Sequence, residues 1–147
     1  MSQLFGRLAF ISSCLFLTAP SFAQPSKQDW TVVTLAQNGS WGVATDPSQA
    51  SAIASAIRDC KAMSAEPSDC GASLNAIRGG WTLGVVCGTY KMIAAERDLA
   101  GAEAALLYRE IDLVSLYVTN LPRCQRVITV DPAGAVRPAT PLLARVP

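Results

Sequence analysis

Four cysteines and a group of three carboxylates are the residues here whose types and spacing could do chemistry. Cys60, Cys70, Cys87 and Cys124 are separated by steps of 10, 17 and 37 residues. A four-thiolate zinc site needs paired short spacings of the C-x-x-C kind, and these steps do not offer them. The acids Glu96, Asp98 and Glu103 cluster, whereas Glu110 and Asp112 lie two apart and would not share a helical face. Paired carboxylates cleave glycosides when held on opposite sides of the bond. Each acid also has a structural reading: Asp98 as a helix cap, Glu103 as a first-turns residue that favours the helix dipole, Glu110 as a solvated face. The chain contains no histidine. That excludes Ser-His-Asp and Cys-His catalysis and His-ligated metals. No serine has a base beside it, and Gly79-Gly80 precedes no helix start, so it reads as a turn and not a phosphate loop. No catalytic, cofactor-binding or metal-ligating residue is therefore assigned, and the chain carries no enzyme signature.

The N-terminus sets the compartment in which those cysteines sit. Arg7 is the only charge before Lys27, Leu8 to Ala19 is almost wholly apolar, and Ser21-Phe22-Ala23 places small residues where a signal peptidase reads. This is the secretory pattern, with cleavage expected between Ala23 and Gln24. The apolar run is shorter than the roughly 20 residues of a spanning helix and ends at Pro20. Ile11-Ser12-Ser13-Cys14 loosely fits a lipoprotein signal, but Leu15-Phe16-Leu17 continue the apolar run beyond Cys14, which is expected to leave with the signal. The exported chain then works in an oxidising compartment, periplasmic or secreted, with an even number of cysteines.

Removing Arg7 from twelve basic residues leaves eleven, against eleven acidic, so the mature chain is formally neutral. Nucleic-acid binding needs a basic face. The only basic cluster, Arg123-Cys124-Gln125-Arg126, reads as a solvated strand end. The expected partner is an envelope or extracellular protein or a glycan, with no nucleic acid, no cofactor and no membrane span after cleavage.

The elements alternate in an α+β pattern. Residues 24–29 read as a loose linker, 30–131 as a single domain and 132–147 as a Pro/Ala-rich flexible tail. Trp30 to Ala36 and Ser40 to Thr45 flank Asn38-Gly39, a pair suited to a type I′ turn. With Gln37 opposite Ser40, Trp30, Val32, Trp41 and Val43 would share one face. Asp46-Pro47 reads as cap and first position of a helix running to Met63, with Ile53, Ala56, Ile57 and Cys60 as its inner stripe. Ala72 to Arg78 and Trp81 to Cys87 read as a second hairpin around Gly79-Gly80, with Leu74, Ala76, Leu83, Val85 and Cys87 on its core face. Lys91 to Ala95 is a shorter strand. A long helix from Leu99 to Val118, capped by Asp98, is apolar over much of its circumference and expected to be well covered. Gln125 to Val130 is the last strand. The order ββαβ-ββαβ reads as a structural duplication forming a small disulfide-stapled antiparallel sheet with two helices. Trp30, Trp41 and Trp81 are expected to pack in the core, although an exposed aromatic could anchor a ligand.

Cys60 with Cys70 and Cys87 with Cys124 is the favoured pairing. The first closes a helix end onto the next strand, and the second ties a central strand to the start of the last. The rival, Cys70 with Cys87 and Cys60 with Cys124, remains open because the expected hairpin brings Cys70 nearly opposite Cys87. An offset of two residues across a hairpin, roughly 7–8 Å, is long for a bridge.

Asp69-Cys70-Gly71, Gly79-Gly80-Trp81, Cys87-Gly88, Ala102-Glu103, Leu121-Pro122-x-Cys124-x-Arg126-Val127 and Thr129-Val130-Asp131-Pro132 occur in this order. In these landmarks the chain resembles the small secreted bacterial proteins grouped as domain of unknown function 4189, or a close proteobacterial relative. The resemblance covers Trp30 to Pro132. It implies an extracytoplasmic, disulfide-bonded fold and names no reaction.

A non-enzymatic binding or inhibitor-type module fits a neutral, disulfide-locked, histidine-free domain, and an exposed apolar patch would support it. A histidine-free hydrolase would need two converging acids in a cleft. A structural envelope component would leave an open sheet edge or form a stable oligomer.

Overall fold

The structure is a computed structural model that describes residues 28–138. The expected signal and its Ala23/Gln24 junction, Cys14, and the tail beyond Pro138 lie outside the described residues. Among those described, two helices and two antiparallel sheets make a mixed α+β fold. Trp30–Leu35 (β1), Trp41–Asp46 (β2), Gln49–Met63 (α1) and Leu74–Arg78 (β3) form the first half, and a short 3-10 turn at Pro67–Asp69 precedes β3. Trp81–Cys87 (β4), Tyr90–Glu96 (β5), Leu99–Leu116 (α2) and Gln125–Val130 (β6) form the second, followed by Val136–Arg137 (β7).

The two halves repeat one design. The first sheet has the order β2-β1-β3 and the second β5-β4-β6, with β7 added at its edge. Both central strands begin Trp-Thr, at Trp30-Thr31 and Trp81-Thr82. Each first residue pairs with an acid ending the next strand, Asp46 and Glu96. Each helix cap stands two residues after that acid, at Ser48 and Asp98, whose side chains accept from the backbone N–H of Ser51 and Gly101.

Alternation along the strands stacks these elements into four layers. Val32, with Trp30, Ala44 and Ala76 beside it, faces Ala52 and Ala56 of α1. Val33, Trp41 and Val43 point the other way, onto Val127, Ile128 and Val130 of β6, so the sheets pack face to face. The far side of the second sheet, with Leu83, Val85, Cys87 and Ala94, is covered by Ala102 and Leu106 of α2. One tryptophan belongs to each interface: Trp30 under α1, Trp41 between the sheets, Trp81 under α2. Two glycines permit the close approach. A Cβ on Gly42 would run into the α1 backbone at Ala56 and Cys60, and one on Gly84 would lie 2.7 Å from Ile128 Cγ2 across the bulge-containing β4–β6 pair.

Several local expectations are corrected. The first hairpin is one residue out of the expected register: Leu35 pairs with Trp41 and Trp30 with Asp46. Gly39 alone of its loop has positive φ, 86°, and the Ala36 N–H donates to the Ser40 carbonyl over 2.8 Å. The loop is therefore three residues, Gln37 to Gly39, and not an Asn-Gly type I′ turn. A one-residue slip moves every side chain of a strand to the other face, so Trp41 and Val43 face the second sheet and not α1. The helix cap is Ser48 and not Asp46, because Asp46 Oδ1 instead accepts from the Ser48 N–H at 2.7 Å and turns the chain into the cap. The buried stripe of α1 is Ala52, Ala56 and Cys60, with Ile53 and Ile57 half-buried at its side.

β3 and β4 do not form a hairpin. β3 pairs with β1, and β4 with β5 and β6, so Gly79-Gly80 carries the chain from one sheet to the other. The Arg78 guanidinium sits 4.5 Å from the indole centroid of its partner Trp30, an attraction that helps hold β3 to β1. Leu74 is consequently exposed, and Ala76 lies under α1, separate from Leu83, Val85 and Cys87. The two-residue turn falls instead at Gly88-Thr89, between Cys87 and its partner Tyr90, with positive φ at Gly88 alone. Cys60 bonds Cys70, with Cα atoms 5.8 Å apart, and Cys87 bonds Cys124. With β3 and β4 in different sheets, Cys70 is not placed opposite Cys87.

The chain beyond Asp131 packs further than expected. Asp131 is buried, accepts from the N–H groups of Ala133 and Ala135, each at 2.9 Å, and binds Arg137 Nε at 2.7 Å. This one carboxylate folds residues 132–138 back, so that Val136 and Arg137 pair with Val130 and Thr129 as β7.

Candidate functional site

Of the acids singled out from sequence, Asp98 and Glu103 have separate structural partners. Asp98 Oδ1 accepts from the Gly101 N–H at 2.7 Å and caps α2. Glu103 receives Arg126 Nη2 at 2.8 Å. Glu96 ends β5 opposite Trp81 and is exposed. Glu110 and Asp112 lie on different sides of α2. Arg126 is not a solvated strand-end residue: its side chain is 4% exposed, buried against α2 by the salt bridge to Glu103, while Arg123 beside it is exposed. Among the described residues no group of three or more His, Cys, Asp and Glu is placed to hold a metal ion, and no helix is long and apolar enough to cross a membrane.

Two carboxylates act as ties. Asp69, ahead of Cys70, accepts from Lys91 on β5 and from the Gln37 N–H in the first hairpin loop, joining the two halves. The Lys91 bond, then the Gln37 N–H, hold its carboxyl below the usual range against the opposing effect of burial. Asp131 is likewise held low, first by the Ala135 N–H, with Arg137 and the Ala133 N–H adding to it against burial.

An open cleft of ≈ 360 Å³ lies where the sheets meet, lined by Gln28, Asp29, Thr31, Thr45, Pro132 and Ala133. The Thr31 and Thr45 hydroxyls are 3.3 Å apart and bond each other. Among the described residues of this lining Asp29 is the one carboxylate.

The outer face of α2 departs most from the sequence expectation. Expected to be covered, it is open: Leu107 is 53% exposed, Tyr108 69% and Ile111 52%. Ala100 and Ala104 are also exposed. At 100° per residue these five side chains fall on one side of the helix, a stripe about 16 Å long. Leu116 and Tyr117 are exposed at the C-terminal end. Only Ala102 and Leu106 of α2 are fully buried. The helix covers the sheet with Ala102 and Leu106, flanked by half-buried Leu99, Leu113 and Val114, and turns Leu107, Tyr108 and Ile111 outward.

The duplication explains why this exposure is informative. Counting from the caps Ser48 and Asp98, Arg58 of α1 corresponds to Tyr108 of α2, ten residues on, and Lys61 to Ile111, thirteen residues on. Both α1 residues are exposed. The same architectural position is thus solvated by basic side chains in one half and left apolar in the other, so packing within the fold does not demand Tyr108 or Ile111. Aligning the two helices at their caps is the signal that could have found this face from sequence. No family model, curated protein or solved structure matches the chain.

Proposed function

We propose that the chain is an exported, non-enzymatic binding module whose contact surface is the outer face of α2. The observation that carries this reading is the exposed run of Ala100, Ala104, Leu107, Tyr108 and Ile111, set against Arg58 and Lys61 at the matching α1 positions. Contiguous apolar surface on a soluble domain marks places where another molecule sits. Tyrosine and large aliphatic residues are suited to such a contact because they bury much area for little lost side-chain freedom. The two disulfides suit an oxidising extracytoplasmic compartment and give a rigid platform that loses little freedom on binding. The partner is an envelope or extracellular protein.

Affinity capture from the native envelope tests this, comparing the mature chain with a Tyr108→Arg/Ile111→Lys variant that carries the α1 residues. A partner retained by the native chain and lost with the variant is expected. Equal recovery with both overturns the assignment of the surface.

A further inference from the structure

We propose that the chain has a second folded form, a dimer in which two copies exchange halves at Gly79-Gly80, so that residues 30–78 of each copy pack on residues 81–137 of the other. The covalent structure permits this. Cys60 bonds Cys70 within the first half and Cys87 bonds Cys124 within the second, so neither disulfide crosses the link. Among the described residues every strand ladder is also internal to a half: β1 pairs with β2 and β3, β4 with β5 and β6, and β6 with β7. Each half carries its own helix on its own sheet, with Val32, Ala52 and Ala56 packed in one and Leu83, Val85 and Leu106 in the other. A half therefore separates from the other with its pairing, its helix and its disulfide intact.

The contacts broken by separation are re-made between copies. Val33, Trp41 and Val43 of one half meet Val127, Ile128 and Val130 of the other. Asp69 of the first half binds Lys91 of the second. An exchanged dimer forms each of these contacts twice, so it differs from two monomers in the link and in the freedom lost on association. The link favours exchange. Two residues separate Arg78 at the end of β3, held over the Trp30 ring, from Trp81 at the start of β4. Within one chain that passage sets Gly79 at φ 61° and presses Gly80 against β5, where a Cβ would lie 2.5 Å from the Glu96 carbonyl oxygen. Short hinges invite swapping, because a link running extended to a second copy is released from the turn. Interchange uncovers the apolar sheet-to-sheet face, so it is slow once the chain is folded, and concentration during folding sets the ratio of the two forms. The inter-half contact does not include Tyr108 or Ile111, so the test below stands apart from that of the partner surface.

Refolding tests the exchange. The mature chain, with both disulfides intact, is unfolded in guanidinium and diluted at micromolar and at millimolar concentration, and the products are sized by chromatography with light scattering. Monomer alone is expected at micromolar concentration, and a species of twice the chain mass at millimolar. Inserting Gly-Ser-Gly-Ser between Gly79 and Gly80 is expected to remove that dimer, since a longer link closes within one chain. Charge reversal separates exchange from side-by-side association. Asp69→Lys and Lys91→Asp each set like charges together inside a single copy. In an exchanged dimer of one variant with the other, one inter-half contact is the native pair and the second is the reversed pair, so both attract. Refolded together, the two variants are expected to give a mixed dimer in excess of the statistical share, read by native mass spectrometry. No dimer of the native chain at millimolar concentration, a dimer that the insertion leaves undiminished, or a mixed dimer no more abundant than the statistical share overturns the proposal.

Discussion

Replacing Gly42 with alanine is expected to loosen the whole α1 layer. The new Cβ would lie 2.6 Å from the Cys60 nitrogen and 2.9 Å from the Ala56 carbonyl carbon, with the Ala56 oxygen nearer still. Ordinary carbon contacts sit at about 3.5–4.0 Å, so α1 must retreat by roughly 1 Å, which forfeits a quarter to a half of each attraction across that gap. The obstacles are backbone atoms, and no change of rotamer relieves them. Sliding is also blocked, since Cys60 is bonded to Cys70. The retreat weakens the packing of Ala52 and Ala56 on Val32. We expect a loss of about 3 kcal/mol, the upper part of the usual range for an overpacked site. Gly39→Ala provides the control. Its φ of 86° makes alanine strained, yet the nearest obstacle is Val127 Cγ1 at 3.7 Å. Strain alone costs about 1–2 kcal/mol. Urea unfolding of the oxidised mature chain measures both, with the slope checked for constancy. A Gly42→Ala loss no larger than that of Gly39→Ala would refute the close packing of α1 on β2.

Three further outcomes follow from the ties between layers. Folding lowers the pKa of Asp69, so its contribution is present above about pH 4 and is lost as pH falls through the lower folded value; Asp69→Asn should flatten that acid limb in a pH series of urea midpoints, and an unchanged limb argues against the tie to Lys91. Glu103→Ala should cost about 1–2 kcal/mol, reduced from the full penalty of a broken buried pair because Glu103 is 39% exposed, whereas Arg126→Met, which removes the buried charge itself, should cost less; the reverse order in chemical denaturation would contradict the burial of Arg126. Replacing both Cys87 and Cys124 by alanine should cost about 4 kcal/mol against about 3 for Cys60 and Cys70, because the loop closed is longer; a larger loss for the shorter loop would show that native packing outweighs chain entropy.

Composition and local signals carry the element order well. The β-branched run after Trp30, the Asp98 cap, the cysteine spacing and the repeated ββαβ order are all legible, since each rests on chemistry local in sequence. What is not legible depends on which elements become neighbours. Asn38-Gly39 fits a two-residue or a three-residue loop, and the choice flips Trp41 from one face to the other. Gly79-Gly80 permits a hairpin and equally a passage between sheets, and only the fit of β3 against β1 decides. Asp131 gathers two N–H groups and Arg137, a turn that a Pro/Ala-rich composition conceals. For α2, periodicity alone does not distinguish a helix covered all round from one whose apolar face is open. The half-to-half comparison of Tyr108 with Arg58 and Ile111 with Lys61 marks the positions that packing within the fold does not need to be apolar.

Site-specific photocrosslinking tests that surface most directly. A benzophenone amino acid is placed at position 108 in one chain and at position 58 in another, and each is expressed in the native cell and irradiated there. A covalent adduct with one protein from position 108, and none from position 58, is the predicted result. Adducts from position 58 alone, or from both positions equally, would contradict the assignment of the α2 outer face as the contact surface.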